Sequence, residues 1–237
     1  MKATYLMTNI LMLLMLLSAS AVGQETVGKI VFEKRMNVHK QFPRSKQWIK
    51  EKDKIITTDY ALYFNDSLSI FKAVPVEVAE QSWFVSKNII RRNYTTAMVY
   101  NQKDLSGDYL HIYDTLPKHT WKMTNSVRDI AGYSCRKVFC HVNDSLTIYA
   151  WYTDKIVPSI GPETFGDLPG AILGLASEDG AVIYFAKSVE FTKPDDKEFE
   201  VKMSKKVKTV EEAKSDLATM MSRSRWWSGS ADQYFVW

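Results

Sequence analysis

Four histidines, two cysteines and one acid held in a glycine-rich turn are the residues of this 237-residue chain best suited to chemistry. His39, His111, His119 and His141 could each move a proton near neutral pH or ligate a metal. None stands in an H-E-x-x-H or paired-cysteine spacing. Cys140 and His141 are neighbours, so on a strand their side chains point to opposite faces and cannot chelate one ion. No G-x-S-x-G elbow, P-loop or dinucleotide fingerprint occurs. The expectation from residue types is therefore no catalytic set, no metal site and no cofactor.

Asp167 stands apart. It lies in Phe165-Gly-Asp-Leu-Pro-Gly-Ala-Ile-Leu173, where Gly166, Leu168, Pro169 and Gly170 complete a turn entering an apolar stretch. Glycine admits positive φ and close backbone approach, while proline fixes φ near −65°. In such a turn an aspartate accepts backbone amides; its sharper role would be ligand contact or acid–base work with a histidine. Trp83, Trp121, Trp151 and Tyr152 are the rings that would line an apolar cavity in a curved sheet, or else fill its core.

The elements that position these residues are strands. Alternation with β-branched and aromatic residues predicts them at Lys29–Asn37, Asp53–Asn65, Ser67–Val74, Tyr94–Tyr100, Asp108–Tyr113 and Trp121–Val127. Ser134–Val142, Ser145–Thr153, Ala171–Ala176 and Ala181–Thr192 follow. Short turns such as Asn65-Asp66 and Asn143-Asp144 join several of them, which favours antiparallel hairpins. The fold expected is mainly β: one large curved antiparallel sheet, a half-barrel-like meander, with a C-terminal helix packed on it. Thr209-Val-Glu-Glu212 is a capping box, and Val210, Ala213, Leu217 and Met221 form the helix's apolar stripe. An aromatic tail, Trp226, Trp227, Tyr234, Phe235 and Trp237, is expected to dock on the sheet. A membrane-spanning barrel is the weaker alternative, since the tail lacks the 9–11 alternating residues, roughly, that a spanning strand needs.

The ends and composition bound the setting. Lys2, the apolar run Ile10–Leu17 and the small residues Ala21-Val22-Gly23 read as a signal peptide over residues 1–23, leaving 24–237 as a single domain. Residues from about 207 to 237 form its helix and tail. The chain is then exported, to the periplasm or the outer-membrane periphery. Net charge is only +4, and the Lys202, Lys205, Lys206, Lys208 cluster has no interleaved aromatics, so nucleic acid is excluded as a partner. Cys135 and Cys140 lie five residues apart, about 16 Å along a strand against a disulfide limit of about 7 Å, so both are expected reduced and at least partly buried.

Several motifs resemble one family. Ile130-Ala-Gly-Tyr-Ser-Cys-Arg-Lys137, Ala150-Trp-Tyr-Thr153 and Gly161-Pro-Glu-Thr-Phe-Gly166 run in order into the turn. Together they resemble the GLPGLI family of secreted Gram-negative envelope proteins, over Trp121 to about Phe191. Asp167 stands where that family has glycine, so φ there need not be strongly positive, and Ala171 stands for its leucine. The resemblance implies a non-enzymatic envelope accessory protein, tied to TonB-dependent outer-membrane uptake and bound to a transporter or another envelope protein. The alternatives are a periplasmic carrier of lipid or another apolar ligand, and a hydrolase or metal protein using Asp167 and a histidine.

Overall fold

The computed structural model describes residues 26–75, 86–105, 108–223 and 231–236. The expected signal peptide, Trp83, Trp226, Trp227 and Trp237 lie outside them.

Eleven strands form one antiparallel sheet. They are β1 Gly28–Asn37, β2 Ile55–Phe64, β3 Leu68–Ala73, β4 Ile89–Asn93, β5 Met98–Leu105 and β6 Asp108–Thr115 in one wing. The other wing holds β7 Lys122–Ile130, β8 Tyr133–Asn143, β9 Leu146–Thr153, β10 Ala171–Ser177 and β11 Val182–Glu190. Each wing is a meander, and the two join where β1 pairs β11 from Lys29↔Glu190 to Met36↔Val182. The strand order β6-β5-β4-β3-β2-β1-β11-β10-β9-β8-β7 leaves β6 and β7 as open edges, so the sheet is not a closed barrel. The expected mainly β fold with a C-terminal helix is the one observed.

Alternation decides which face is core. Ile30, Phe32, Lys34 and Met36 of β1 point inward, as do Ile56, Tyr60, Leu62 and Phe64 of β2 and Val182, Tyr184 and Ala186 of β11. Tyr60, Phe71 and Tyr184 pack ring on ring, with Tyr60 and Phe71 stacked at 5.1 Å. Burying each such ring contributes about 2 kcal/mol. The hairpin turns work as their sequences require: Asn65 Oδ1 accepts the amides of Ser67 and Leu68 at 2.9 and 2.8 Å, and Asn143 Oδ1 that of Ser145 at 2.9 Å.

One strand escapes sequence reading. β4 has the text Ile-Ile-Arg-Arg-Asn and is not among the strands expected from alternation. Yet Arg92 is 2% exposed and faces the core. The expected Tyr94–Tyr100 strand is displaced as well: Tyr94 to Ala97 form the turn, and β5 starts at Met98.

Edge β6 is covered rather than bare. Lys208 bridges to it, with Tyr113 N donating to Lys208 O at 2.9 Å and Lys208 N to His111 O at 3.0 Å. That pairing launches the helix Val210–Arg223. Thr209 Oγ1 accepts Glu212 N at 3.2 Å, Glu212 Oε2 accepts Thr209 N at 2.9 Å, and Asp114 Oδ2 accepts Val210 N at 2.9 Å. Ala213 and Leu217 are buried, as the stripe required. Thr209→Ala should lower stability by about 1 kcal/mol, read as a shift of the urea midpoint; an unmoved midpoint would show that the box contributes nothing. The short helix Ala231–Val236 docks too, with Val236 buried and the Tyr234 ring 6.4 Å from Phe42.

Cys135 and Cys140 are free and buried, and burial pushes both thiols up to about 11. The Lys202, Lys205 and Lys206 side chains are exposed to solvent.

Candidate functional site

Between β9 and β10 the chain does not turn back at once. Residues 154–170 cross the concave face, burying Ile156, Ile160, Phe165 and Leu168 in the core. Such a crossing carries backbone polar groups into an apolar interior, and each must find a partner. Arg92 supplies three. Its Nη1 donates to Phe165 O at 2.7 Å, and its Nη2 donates to Glu163 O at 2.8 Å and to Gly161 O. The planar guanidinium has the donors and the fixed fork for this; a lysine ammonium does not.

Glu163 sits at the middle of the crossing, 2% exposed and at φ 53°, a left-handed conformation for a non-glycine residue. Its carboxylate accepts the Tyr184 hydroxyl and lies 3.8 Å from Lys34 Nζ. Lys34 in turn stands over the Tyr60 and Tyr184 rings at 5.4 and 5.2 Å. Lys103, also buried, feels the same carboxylate, yet burial dominates and brings its amine down to about 8. Burial likewise lowers Lys34, with Glu163 opposing. The sequence signal for this cluster is positional: Lys34 occupies the inward slot between Phe32 and Met36, and Lys103 the slot after Val99 and Asn101.

The crossing ends in the glycine-rich turn. Asp167 adopts φ 62°, so the backbone here is left-handed even with aspartate in place of glycine. Aspartate tolerates this region better than most residues. Its amide partner is also not within the turn: Asp167 Oδ2 accepts His119 N, 48 residues away, at 2.9 Å. The same oxygen lies 3.6 Å from His119 Nδ1, beyond hydrogen-bond length. Trp121 Nε1 donates to Gly166 O at 2.8 Å, and Leu168 N to Ser159 Oγ at 3.2 Å. Gly170, at φ 140°, is obligatory, since a β-carbon would come within 2.0 Å of Thr153 O. The turn is thus clamped onto the β6–β7 connection.

The clamp assembles an aromatic corner. Phe165 lies 4.7 Å from the His119 ring and 6.2 Å from Trp121, and His119 and Trp121 are 5.8 Å apart. His119 has a side-chain exposure of 13%, against 41% for Asp167. Burial lowers the His119 pKa, Asp167 opposing it and Arg92 reinforcing it, so the imidazole is neutral at pH 7. Beside the corner opens a cavity of about 280 Å³, lined among others by His119, Phe165, Asn101, Ile112 and Phe235. Asn101 Oδ1 and His119 Nδ1 are buried and meet no hydrogen-bond partner among the described residues. A neutral imidazole, a partly exposed carboxylate, aromatic planes and an apolar recess suit a hydroxylated ligand with apolar faces.

The other expected site residues disperse. Tyr152 is core, and Trp151 stands on the outer face against Phe185 at 5.5 Å. Of the three rings expected to line one cavity among the described residues, Trp121, Trp151 and Tyr152, only Trp121 reaches the corner. His39 bonds Ile49 O, His111 meets the Tyr100 hydroxyl, and His141 meets Thr147 on the surface. Among the described residues no three His, Cys, Asp or Glu side chains are grouped to hold a metal.

Comparison with known proteins places this architecture. The profile described as N-glycanase peptide, N-terminal domain, matches residues 88–214, more than half of the chain. The chain belongs to this N-glycanase N-terminal domain family. His119, Trp121, Phe165, Asp167, Arg92 and Glu163 all fall inside the matched span. PNGF-II, solved in space groups C2 and P21, is similar in fold, with a TM-score of 0.57 in both. Identity is 18% and 17%, covering 80% and 84% of this chain but 32% and 34% of PNGF-II, so the chain spans about a third of that protein's length. No curated protein matches the chain.

The family match overturns the resemblance to GLPGLI proteins, whose motifs here all lie inside the span that the N-glycanase domain family claims. With it fall the TonB-dependent uptake link and the expectation of a non-enzymatic accessory protein or an apolar-ligand carrier. The domain's family is named for an N-glycanase, a glycan-cleaving enzyme, so the expectation of no enzymatic connection is corrected as well.

Proposed function

We propose that this chain acts in the enzymatic cleavage of N-linked glycans, in the part that an N-glycanase gives to its N-terminal domain, and that the corner at the glycine-rich turn engages the glycan-bearing substrate. One observation carries this reading: the matched span contains the whole aromatic corner and most of the cavity wall. Sugar rings offer apolar C–H faces to aromatic planes and hydroxyls to carboxylates and imidazoles. Trp121 and Phe165 supply the planes. Asp167 supplies the acceptor, and neutral His119, with one ring nitrogen donating and the other accepting, the adjustable partner. The expected leader at residues 1–23 belongs to the same reading, because glycoprotein substrates lie outside the cytoplasm.

Titration of the full chain with a neutral N-glycopeptide, against the same peptide without its glycan, tests this. The glycosylated form should bind at least about tenfold more tightly, and His119→Gln or Asp167→Asn should each cost about tenfold, the loss of one hydrogen bond. Equal binding of the two peptides would overturn the reading.

A further inference from the structure

The outer face of the β7–β11 wing carries a feature that the corner does not use. On β8 and β9 the outward residues are Phe139, Lys137, Tyr149 and Trp151, with Phe139 opposite Tyr149 and Lys137 opposite Trp151 in register. Trp151 pairs with Gly174 of β10, and Gly174 with Phe185 of β11. Because Gly174 has no side chain, Trp151 and Phe185 close over it to 5.5 Å; a β-carbon there would meet Phe185 at 2.7 Å. Phe139 and Tyr149 continue the row at 6.1 Å. The rings are half-buried, and Ile130 of β7, itself buried, packs on the same face, where a β-carbon on Gly174 would come within 3.0 Å of it.

Cations stand on this row. Lys137 Nζ lies 4.0 Å from the Tyr149 ring and 5.5 Å from Trp151. The Arg128 guanidinium lies 4.5 Å from Phe185 and 5.9 Å from Trp151, and Lys122 Nζ 5.8 Å from Phe139. The nearby carboxylates are Glu178, which accepts the Tyr149 hydroxyl at 3.2 Å, Glu33, beside Phe185 in register, and Asp129, exposed and next to Arg128 in β7. Glu33 is on β1 and Glu178 follows β10, whereas Lys122 and Arg128 are on the edge strand β7. Arg128 and Lys122 are exposed. The result is an aromatic row with positive charge standing over its rings.

We infer that this face binds the carboxylate-bearing outer sugar of an acidic N-linked glycan, with Arg128 and Lys137 on its carboxylate and the sugar ring against the parts of Trp151 and Phe185 that those cations leave open. Aromatic planes alone would suit neutral sugars, and cations alone any anion; the alternation of the two suits a ring that carries its own negative charge. A guanidinium already laid over a ring keeps its edge donors free for a carboxylate. The inference rests on the N-glycan reading above for its source of acidic sugar. It concerns a different face of the sheet.

Sialyllactose and lactose differ by the carboxylate-bearing residue, and titration of the full chain with each is the test. Sialyllactose should bind at least about tenfold more tightly at low salt and lose that advantage as salt rises. The surface double variant Arg128→Gln, Lys137→Gln should bind sialyllactose about tenfold more weakly with an unchanged urea midpoint. Trp151 fluorescence should respond to sialyllactose and not to lactose. Equal binding of the two sugars overturns the inference, as does a double variant that binds like the parent. Full displacement of sialyllactose by oligoglutamate at equal charge also overturns it, since the face would then read charge alone. The glycopeptide test above uses a neutral glycan, so either proposal can fail while the other stands.

Discussion

Arg92→Met should lower stability by about 4 kcal/mol and the melting temperature by on the order of 10 °C. The reason is the number of groups left behind. Methionine fills the guanidinium's space but donates nothing, so the carbonyls of Gly161, Glu163 and Phe165 stay buried without their donor. Each such group costs about 1–3 kcal/mol, partly offset because the buried guanidinium is no longer desolvated. Arg92→Lys should recover only part of the loss, since an ammonium cannot reach three carbonyls in one plane. The same change should loosen the Gly166–Leu168 turn, so glycopeptide binding should fall with stability. A midpoint within about 1 kcal/mol of the parent would show that the crossing holds itself without Arg92.

Glu163→Gln should cost about 3–5 kcal/mol at pH 7, because it removes the carboxylate that acts on both buried ammonium groups. Glutamine can still accept the Tyr184 hydroxyl, so the loss reports charge and not the hydrogen bond. The parent's pH profile follows from the same groups. An unfolded lysine keeps its proton to about 10.5, whereas Lys103 in the fold releases it near 8. Between those values the unfolded chain binds more protons, so stability rises with pH. From about 9 upward the direction reverses. Cys135 and Cys140 hold their protons to about 11 in the fold against 9.0 for free thiols, and Tyr60 and Tyr184 are raised as well. There the unfolded chain loses protons first and the fold is penalised. Urea midpoints across this range should peak near pH 9, and Lys103→Met should flatten the rising limb. In Glu163→Gln the rise should begin at lower pH, since the carboxylate is what holds the lysine values up. A parent profile falling steadily from pH 7 would contradict this assignment.

The sheet was readable because strands announce themselves locally. Alternation over β1, β2, β8 and β9, the Asn-led hairpin turns and the capping box at Thr209 each depend on residues a few positions apart. β4 was not readable because a buried arginine carries the same letter as an exposed one. Family-like motifs misled for a related reason: a turn, an A-W-Y-T strand and a glycine approach record local backbone needs, and these recur among chains of different function.

By itself the sequence determined a mainly β meander, two thiols too far apart along one strand to bridge, a capped helix after residue 209, and a turn of restricted φ at Gly166–Gly170. Tertiary structure alone decided what the turn is for. Asp167 meets His119 across 48 residues, Trp121 reaches the Gly166 carbonyl across 45, and Arg92 holds the crossing from about 70 residues before it. Pairings at such separations leave no periodicity in the chain. They exist because an apolar sheet forces the 154–170 segment inside, where its carbonyls and its carboxylate must be satisfied by whichever donors the opposite wing presents.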